Sequence, residues 1–261
     1  HIKGTVILLF QPAEEAEHGG EKVVNTGMFE KYKIEKIFGL HTKQNMPVGT
    51  IAIAPGPFSA AVDRFLYTVK GMGCHGSAPQ TGLDPIPAAA RLVGSLQEIV
   101  SRRISPTETA VISVTRFTSG TSWNIIPETA RLEGTVRTFN PKVREQIVKL
   151  MQAQAEGLER EGYQVEFTWI PGCPATNNDA NLAELVRKEA MEEGFHVTLQ
   201  HPEMGGEDFS CYQELVPGAF FHVGAGGKYP AHNSKFTVDP AALFGASKLM
   251  SEIVKKALKA S

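Results

Sequence analysis

Two clusters of helix- and strand-breaking residues divide this chain and constrain its fold more than any other feature. They are Pro55-Gly56-Pro57 and Pro171-Gly172-Cys173-Pro174. Proline and glycine interrupt both helices and strands, so each cluster is typical of a point where the chain passes from one unit to another. The sequence therefore predicts a domain at 62–170, inserted into a domain that is built from residues 1–61 and 171–261.

The segment between the two clusters has the pattern of an α+β domain. Asp84 and Pro85 form the N-cap and first turn of one predicted helix, and Asn140 and Pro141 form those of a second. Alternating polar and apolar residues predict strands at 64–70, 109–117, 129–138 and 165–169. The resulting order, βαββαβ, is that of the ferredoxin-like split unit.

The flanking segments predict an α/β domain made of strand-turn-helix units. The predicted strands cover 5–10, 37–40 and 219–223, and the predicted helices cover 17–31, 179–193 and 240–258. The run Thr5–Phe10 is continuously apolar and β-branched, which is typical of a strand buried on both faces. A buried central strand is an unusual place for a chain to start, so we expect further residues upstream of His1.

Charge and composition exclude several classes of function. The 26 Lys and Arg balance 28 Asp and Glu, so the chain has no general attraction for nucleic acid or an anionic membrane. No stretch approaches the ~18 apolar residues that a membrane span needs. Cys74, Cys173 and Cys211 are odd in number and form no CxxC pair, which favours a reducing compartment, the cytoplasm, over a disulfide framework.

Metal-capable side chains follow three of the predicted strands. Glu14 and Glu15 come after the first strand, His41 after the second and His232 after the last. Ligands of open α/β sheets bind beyond the carboxyl ends of the strands. Two histidines and one glutamate form a known catalytic zinc set, which leaves positions open for water and substrate. The other glutamate of the adjacent pair can then remain free to accept a proton.

Each of these residues also has a structural interpretation. Glu14 and Glu15 could stabilise the N-terminus of a helix whose first turn contains Pro12. His41 could be a satisfied residue at the rim of the core, and His232 could be an ordinary loop residue. Their joint placement at three strand ends favours the metal site.

Five motifs in register resemble the M20 metallopeptidase family, in particular its branch of hippurate hydrolases, N-acyl amino acid amidohydrolases and auxin-conjugate hydrolases. The resemblance covers essentially the whole chain and implies a zinc-peptidase-like α/β catalytic domain interrupted by a ferredoxin-like α+β dimerisation and lid domain. The motifs are Gly4–Glu15, Gly39–His41, Gly71–Pro79, Asn124–Pro127 with Gly134–Phe139, and Met204–Phe209.

The resemblance also implies a reaction and its metal centre. The reaction is hydrolysis of the amide bond of an N-acyl amino acid or of a related C-terminal amide. Glu14 matches the general base of the family, and Glu15, His41 and His232 match metal ligands. A complete protomer of this family binds two divalent cations, which can be Zn, Mn, Co or Ni.

Further residues match family positions outside the metal centre. The resemblance places His75 in the active site of the partner subunit, where it stabilises the oxyanion, and this implies a homodimer through the inserted domain. Asn124 and Arg137 match residues that hold the substrate carboxylate, although Arg137 could equally be a solvated arginine on a polar strand face. Glu207 and Asp208 match a loop beside the metal site, or they cap a helix.

One family segment has no counterpart in this chain. The Cys-Gly-His-Asp motif that completes the two-metal centre is absent, and Cys74 stands where the family usually has glycine. The three remaining ligands suit one cation, so we expect these 261 residues to be inactive or weakly active. Two alternatives stay open, a non-catalytic dimerising interaction protein and a single-zinc hydrolase.

Overall fold

The computed structural model describes residues 3–15 and 19–259, and its contacts divide the chain into two compact units, His1–Ser59 with Thr176–Ser261, and Ala60–Ala175. The strands are β1 Ile37–Lys43, β2 Thr50–Ile53, β3 Gly56–Ser59, β4 Ala61–Lys70, β5 Cys74–His75, β6 Ala110–Ser119, β7 Ile125–Ile126, β8 Thr129–Thr138, β9 Gln164–Ile170, β10 Thr176–Asn178, β11 His196–Leu199 and β12 Gly218–Gly224. The helices are α1 Gly19–Val24, α2 Met28–Lys31, α3 Pro85–Glu98, α4 Pro141–Arg160, α5 Ala180–Glu192, α6 Ser210–Gln213 and α7 Pro240–Lys259.

The first unit is built on a four-stranded sheet in the order β1-β12-β2-β11. Strand β1 is parallel to β12, whereas β2 is antiparallel to β12 and parallel to β11. One face of the sheet is covered by α5 and α7, with Phe221, Leu249 and Ile253 fully buried between them. The other face carries an aromatic cluster that includes Phe58 and Phe220. Because β1 and β12 are parallel, their carboxyl ends lie at the same edge of the sheet.

The second unit is an antiparallel sheet in the order β6-β8-β4-β9 with α3 and α4 packed against it. Its core contains Phe65 and Tyr67 from β4, Leu96 from α3, and Ile147 and Met151 from α4, and each of these side chains is fully buried. The chain as a whole therefore has the mixed α/β class that the sequence predicts. Within the described residues, no helix has both the length and the apolar composition that crossing a membrane requires.

Both predicted helix starts in the second unit are confirmed, and each has the expected cap. Asp84 accepts a hydrogen bond from the backbone N–H of Ile86 at 2.9 Å, and Asn140 accepts one from Lys142 at 3.0 Å. A side-chain oxygen at this position satisfies one of the N–H groups that the first helical turn leaves unpaired. Local sequence therefore fixes the beginning of α3 and of α4.

A buried ion pair lies in the second unit, near the point where the chain leaves that unit. The carboxylate of Asp63 in β4 is fully buried and accepts two hydrogen bonds from the guanidinium of Arg144 in α4, one of them from Nε at 2.8 Å. The backbone N–H of Gly172 also donates to Asp63, at 3.1 Å. This pair therefore joins a strand, a helix and the second breaker cluster.

The segment 5–10 is not the buried strand that the sequence predicts. Among the described residues it pairs with no other strand, and Leu8 and Phe10 are 76% and 88% exposed. An apolar run forms a buried strand only where neighbouring strands and helices cover it, and here β1 does not pair with it. The segment instead lines one side of an open cleft of about 1380 Å³, together with residues 32–41 and the end of α7.

The predicted helix 17–31 is also corrected. Within its described part it forms two short helices, α1 and α2, because Gly27 between them has a φ of 71°, outside the helical range. Residues 16–18 lie outside the described residues. The helices at 179–193 and 240–258 are confirmed within one or two residues as α5 and α7, and the strands at 37–40 and 219–223 as parts of β1 and β12.

Candidate active site

Glu15 and His232 lie close together at one end of the first unit. Glu15 Oε1 is 3.7 Å from His232 Nε2, and both side chains are at least 70% exposed. The backbone turns sharply near both residues, since Ala13, two residues before Glu15, and His232 itself have φ angles of 58° and 65°. The structure thus brings together two candidate ligands that are far apart in the sequence.

His41 lies on β1, with its side chain exposed. Its Nδ1 is 2.6 Å from the carbonyl oxygen of Thr42. A carbonyl oxygen can only accept a hydrogen bond, so Nδ1 of the neutral ring carries the hydrogen and Nε2 keeps its lone pair. This is the arrangement that metal-binding histidines usually have.

The carboxyl group of Glu14 lies in the combined electric field of the other candidates. Partial burial raises its pKa from the ordinary value, and the negative charges of Glu15 and Asp208 raise it further, while His41 and His232 oppose the shift. Glu14 therefore lies close enough to all four groups to interact with them electrostatically.

Asp208 anchors the turn that carries the two glutamates. Its carboxylate accepts hydrogen bonds from the amide nitrogen of Gln11 at 2.8 and 2.9 Å and from the backbone N–H of Gly20 at 2.7 Å. The hydroxyl of Tyr212 donates to the amide oxygen of Gln11. Residue 20 must be small, because a Cβ atom there would lie 2.5 Å from the Asp208 carbonyl oxygen.

Glu207 forms an acidic group with Glu14 and Asp208, whose ligand oxygens lie within 4.8 Å of one another. Burial first, and then the charges of Glu14 and Asp208, raise the pKa of Glu207 to about 7. Its Oε1 also accepts a hydrogen bond from Phe209 N at 3.2 Å, which supports the capping interpretation. Among the described residues, this is the group whose candidate ligand atoms all lie within 4.8 Å of one another, and Glu15, His41 and His232 do not form such a group.

The donor chemistry of Glu15, His41 and His232 fits a divalent metal ion. Nε2 of His41, the carboxylate of Glu15 and the imidazole of His232 offer nitrogen and oxygen donors, of which the structure brings Glu15 and His232 together, at 3.7 Å. Such sets are typical of catalytic zinc and related transition metals. The three exposed side chains also leave room for water and a substrate.

In the second unit, the structure brings His75 and Asn124 together. Strand β5 pairs with β7, and Gly76 N donates to the Asn124 carbonyl oxygen at 2.9 Å. Ser77 N donates to His75 Nδ1 at 3.2 Å, and Ser77 Oγ is 2.7 Å from the same atom. Because a backbone N–H can only donate, Nδ1 is an acceptor and the neutral His75 ring carries its hydrogen on Nε2.

Arg137 is not linked to His75 or Asn124 by any hydrogen bond or ion pair in the described part of the chain. Strand pairing places it on β8, opposite Val62 of β4 and Val111 of β6. This position suits both interpretations of Arg137, as a substrate-binding residue and as a solvated arginine. Its role stays a prediction.

The structure places His222, which the sequence analysis did not single out, next to His41. It lies on β12 opposite His41, it is 8% exposed, and the two rings are 6.2 Å apart. Burial first, and then the charges of Lys43 and His41, lower its pKa to about 3, so its imidazole is neutral. The only signal in the sequence is a histidine within the apolar run of residues 219–223.

Known proteins resemble this chain over almost its whole length. The model of peptidase family M20/M25/M40 matches residues 1–256. The chain is 42% identical over 253 residues to N-acetylcysteine deacetylase of Bacillus subtilis (strain 168), covering 97% of this chain and 66% of that protein. It is 33% identical over 268 residues to IAA-amino acid hydrolase ILR1-like 4 of Arabidopsis thaliana, covering 94% of this chain and 58% of the relative.

A solved structure also resembles the chain. It is the Bacillus subtilis protein YXEP, described as a dinuclear metal binding peptidase from the M20 family. The TM-score is 0.81 at 38% identity, and the match covers 96% of this chain and 64% of that one. The chain thus spans about two thirds or less of the length of these relatives.

Proposed function

Because the chain belongs to peptidase family M20/M25/M40, we propose that it takes part in metal-dependent hydrolysis of the amide bond of N-acyl amino acids or related C-terminal amides. The observation that carries this proposal is the approach of Glu15 to His232 beside the carboxyl group of Glu14. The names of the relatives support the substrate class, since one is a deacetylase of N-acetylcysteine and another an amino acid conjugate hydrolase.

We propose separate roles for the two adjacent glutamates. Glu15, His41 and His232 hold a divalent cation, which supplies Lewis acidity toward an amide carbonyl and lowers the pKa of water. The carboxylate of Glu14 accepts a proton from the attacking water and returns it to the nitrogen of the leaving amine. Its raised pKa favours the first of these transfers, since a stronger base removes the proton of water more readily.

The proposed role of His75 follows from its tautomer. The ring carries its hydrogen on Nε2, so that atom can donate to the oxyanion that forms when water adds to the amide carbonyl. In the family arrangement, His75 of the partner subunit acts on each substrate. Asn124 and Arg137 would then bind the substrate carboxylate, through an amide N–H and a guanidinium respectively.

We assign a role to each domain on the same basis. Residues 1–61 and 171–261 form the catalytic domain, and residues 62–170 form the dimerisation and lid domain. The relative described as dinuclear supports divalent cations as the cofactor, with Zn, Mn, Co and Ni as candidates. The cytoplasm remains the proposed compartment.

The first test measures cation binding and turnover by the chain itself. We expect one Zn²⁺ or Co²⁺ per chain and at most slow hydrolysis of N-acetyl-L-cysteine and N-acetyl-L-alanine, because three protein ligands suit one cation. His232→Ala should lower the cation affinity by more than about tenfold. Even the replacement of a residue that only contacts a metal ligand can cause a loss of that size. Isothermal titration and release of the free amino group provide the two measurements.

His196→Ala is the matched control, because His196 is an exposed histidine of the same unit that lies on β11. It should change neither affinity nor turnover. Two bound cations with rapid turnover would contradict the expectation of weak activity. A chain that binds no cation would end the hydrolase proposal and favour a dimerising interaction protein.

The second test concerns the proposed homodimer. Strand β6 lies at the edge of its sheet. Phe117 on this strand is 42% exposed, and Trp123, which follows the strand in sequence, is 97% exposed. We expect Trp123→Asp to weaken dimerisation more than tenfold, because a tryptophan at the centre of an interface often contributes about 2 kcal/mol or more. Sedimentation velocity over a concentration series measures the dissociation constant.

Phe244→Asp is the control for this measurement. Phe244 is 76% exposed on α7, which belongs to the first unit, so the substitution should leave the dissociation constant unchanged. If the unsubstituted protein is a monomer, dimerisation through the inserted domain is contradicted. The same holds if the two substitutions change the dissociation constant equally.

A further inference from the structure

A buried histidine, His222, lies next to the candidate metal ligand His41. His222 on β12 and His41 on β1 are partners in a parallel register, so their side chains lie on the same face of the sheet. Their ring centroids are 6.2 Å apart and their planes meet at 79°. This is an edge-to-face contact, the arrangement that aromatic rings prefer.

The ring of His222 is itself held on two sides. Its centroid lies 4.7 Å from that of Phe58, and its Nδ1 lies 2.9 Å from Gln200 Oε1. The amide of Gln200 is also oriented, because its nitrogen donates to the carbonyl oxygen of His201 at 2.6 Å and to Glu203 Oε1 at 3.3 Å. The amide oxygen therefore faces His222, and Nδ1 of His222 carries the hydrogen.

His41 has much less support of its own. Its side chain is exposed, and its Nδ1 donates a hydrogen bond to the carbonyl oxygen of Thr42. With this one hydrogen bond, the ring can still leave its orientation by rotation about χ1 and χ2. The edge-to-face contact with a fixed neighbouring ring opposes that rotation. Ligand side chains need such support, because a site that is loose by about 1 Å binds and reacts poorly.

We infer that His222 is a positioning residue that holds the imidazole of His41 in the orientation presenting Nε2 to a cation. The inference rests on the proposed function, since it concerns a ligand of the proposed metal centre. Gln200 and Phe58 fix His222, and His222 in turn fixes His41. The aromatic ring of His222 acts on His41, and its Nδ1 acts on Gln200.

The experiment compares three variants of the full chain. His222→Ala removes the ring, His222→Phe keeps a ring without the hydrogen bond to Gln200, and Val223→Ala is the control. Val223 is the next residue of β12, is 1% exposed and faces the opposite core, so its truncation disturbs the same strand without touching His41. Circular dichroism and urea unfolding establish that each variant is folded before the other measurements are made.

Two measurements follow on each folded variant. Nitrogen-15 NMR of the metal-free protein reports the tautomer of His41, and Co²⁺ titration against a chelator reports affinity together with the visible Co²⁺ spectrum. We expect His222→Ala to weaken Co²⁺ binding about tenfold or more, the usual effect of losing an outer-shell partner, and to mix the two His41 tautomers. We expect His222→Phe to keep values near those of the parent, and Val223→Ala to change stability alone.

The outcomes separate this inference from the proposed function. If the parent binds Co²⁺ through His41 but His222→Ala changes neither the tautomer nor the affinity, the inference is wrong and the metal site stands. If Val223→Ala weakens Co²⁺ binding as much as His222→Ala does, the effect is one of general packing and the inference is again wrong. If His41→Ala leaves Co²⁺ binding unchanged, the metal role of His41 fails, and the inference fails with it.

Discussion

Replacing Glu14 with glutamine is expected to abolish the slow hydrolysis of N-acetyl amino acids, because a general base usually contributes about 10²–10⁴-fold to the rate. Glutamine has nearly the shape of glutamate but cannot accept the proton of the attacking water. Cation affinity should change little, because Glu14 is not one of the proposed ligands. Steady-state turnover at saturating Zn²⁺ or Co²⁺ and a parallel cation titration measure the two effects.

Glu15→Gln is the matched control for this prediction, because it makes the same chemical change at the neighbouring residue. It removes the charge of the carboxylate that lies 3.7 Å from His232, so it should weaken cation binding and turnover together. Equal loss of cation affinity in both variants would contradict the division of roles. Hydrolysis that is unchanged in Glu14→Gln would contradict the hydrolase mechanism altogether.

Replacing Arg144 with methionine is expected to destabilise the second unit by about 3–5 kcal/mol, since it leaves a buried carboxylate without its charged partner. The carboxylate of Asp63 is fully buried, and after the substitution the uncharged N–H of Gly172 would still donate to it. Urea unfolding followed by tryptophan fluorescence measures this effect selectively, because Trp123 and Trp169 both belong to the second unit.

Lys149→Met is the control on the same helix, because Lys149 is exposed, and it should change stability by less than about 0.5 kcal/mol. The double variant Asp63→Asn/Arg144→Met should recover part of the loss, since the asparagine is uncharged and can still accept from Gly172. Equal stability of Arg144→Met and Lys149→Met would show that the ion pair contributes nothing to the fold.

Elements with strong local signals could be predicted from sequence with near-correct bounds. Asp84-Pro85 and Asn140-Pro141 mark the starts of α3 and α4, because capping depends only on neighbouring residues. Strand β8 was found from its alternation of apolar and polar residues, which reports one buried and one exposed face. The two breaker clusters lie within a few residues of the boundaries between the two compact units.

Elements that depend on distant partners could not be predicted in this way. Strands β2, β3, β10 and β11 have three or four residues each, too few to show a period, and they exist because other strands pair with them. The segment 5–10 shows the converse, since its composition is that of a buried strand but it has no strand partner among the described residues. Strand propensity reports how well a side chain fits a half-buried surface and cannot create that surface.

The sequence by itself determined the helix starts, the strand periodicity, the two breaker clusters and the residue types able to bind a metal, because all of these depend on near neighbours. Only the tertiary structure decided that Glu15 approaches His232, that Gln11 is hydrogen-bonded to Asp208, and that His222 lies beside His41. Distances between remote residues depend on strand order and register, and those are set by the packing of the whole unit.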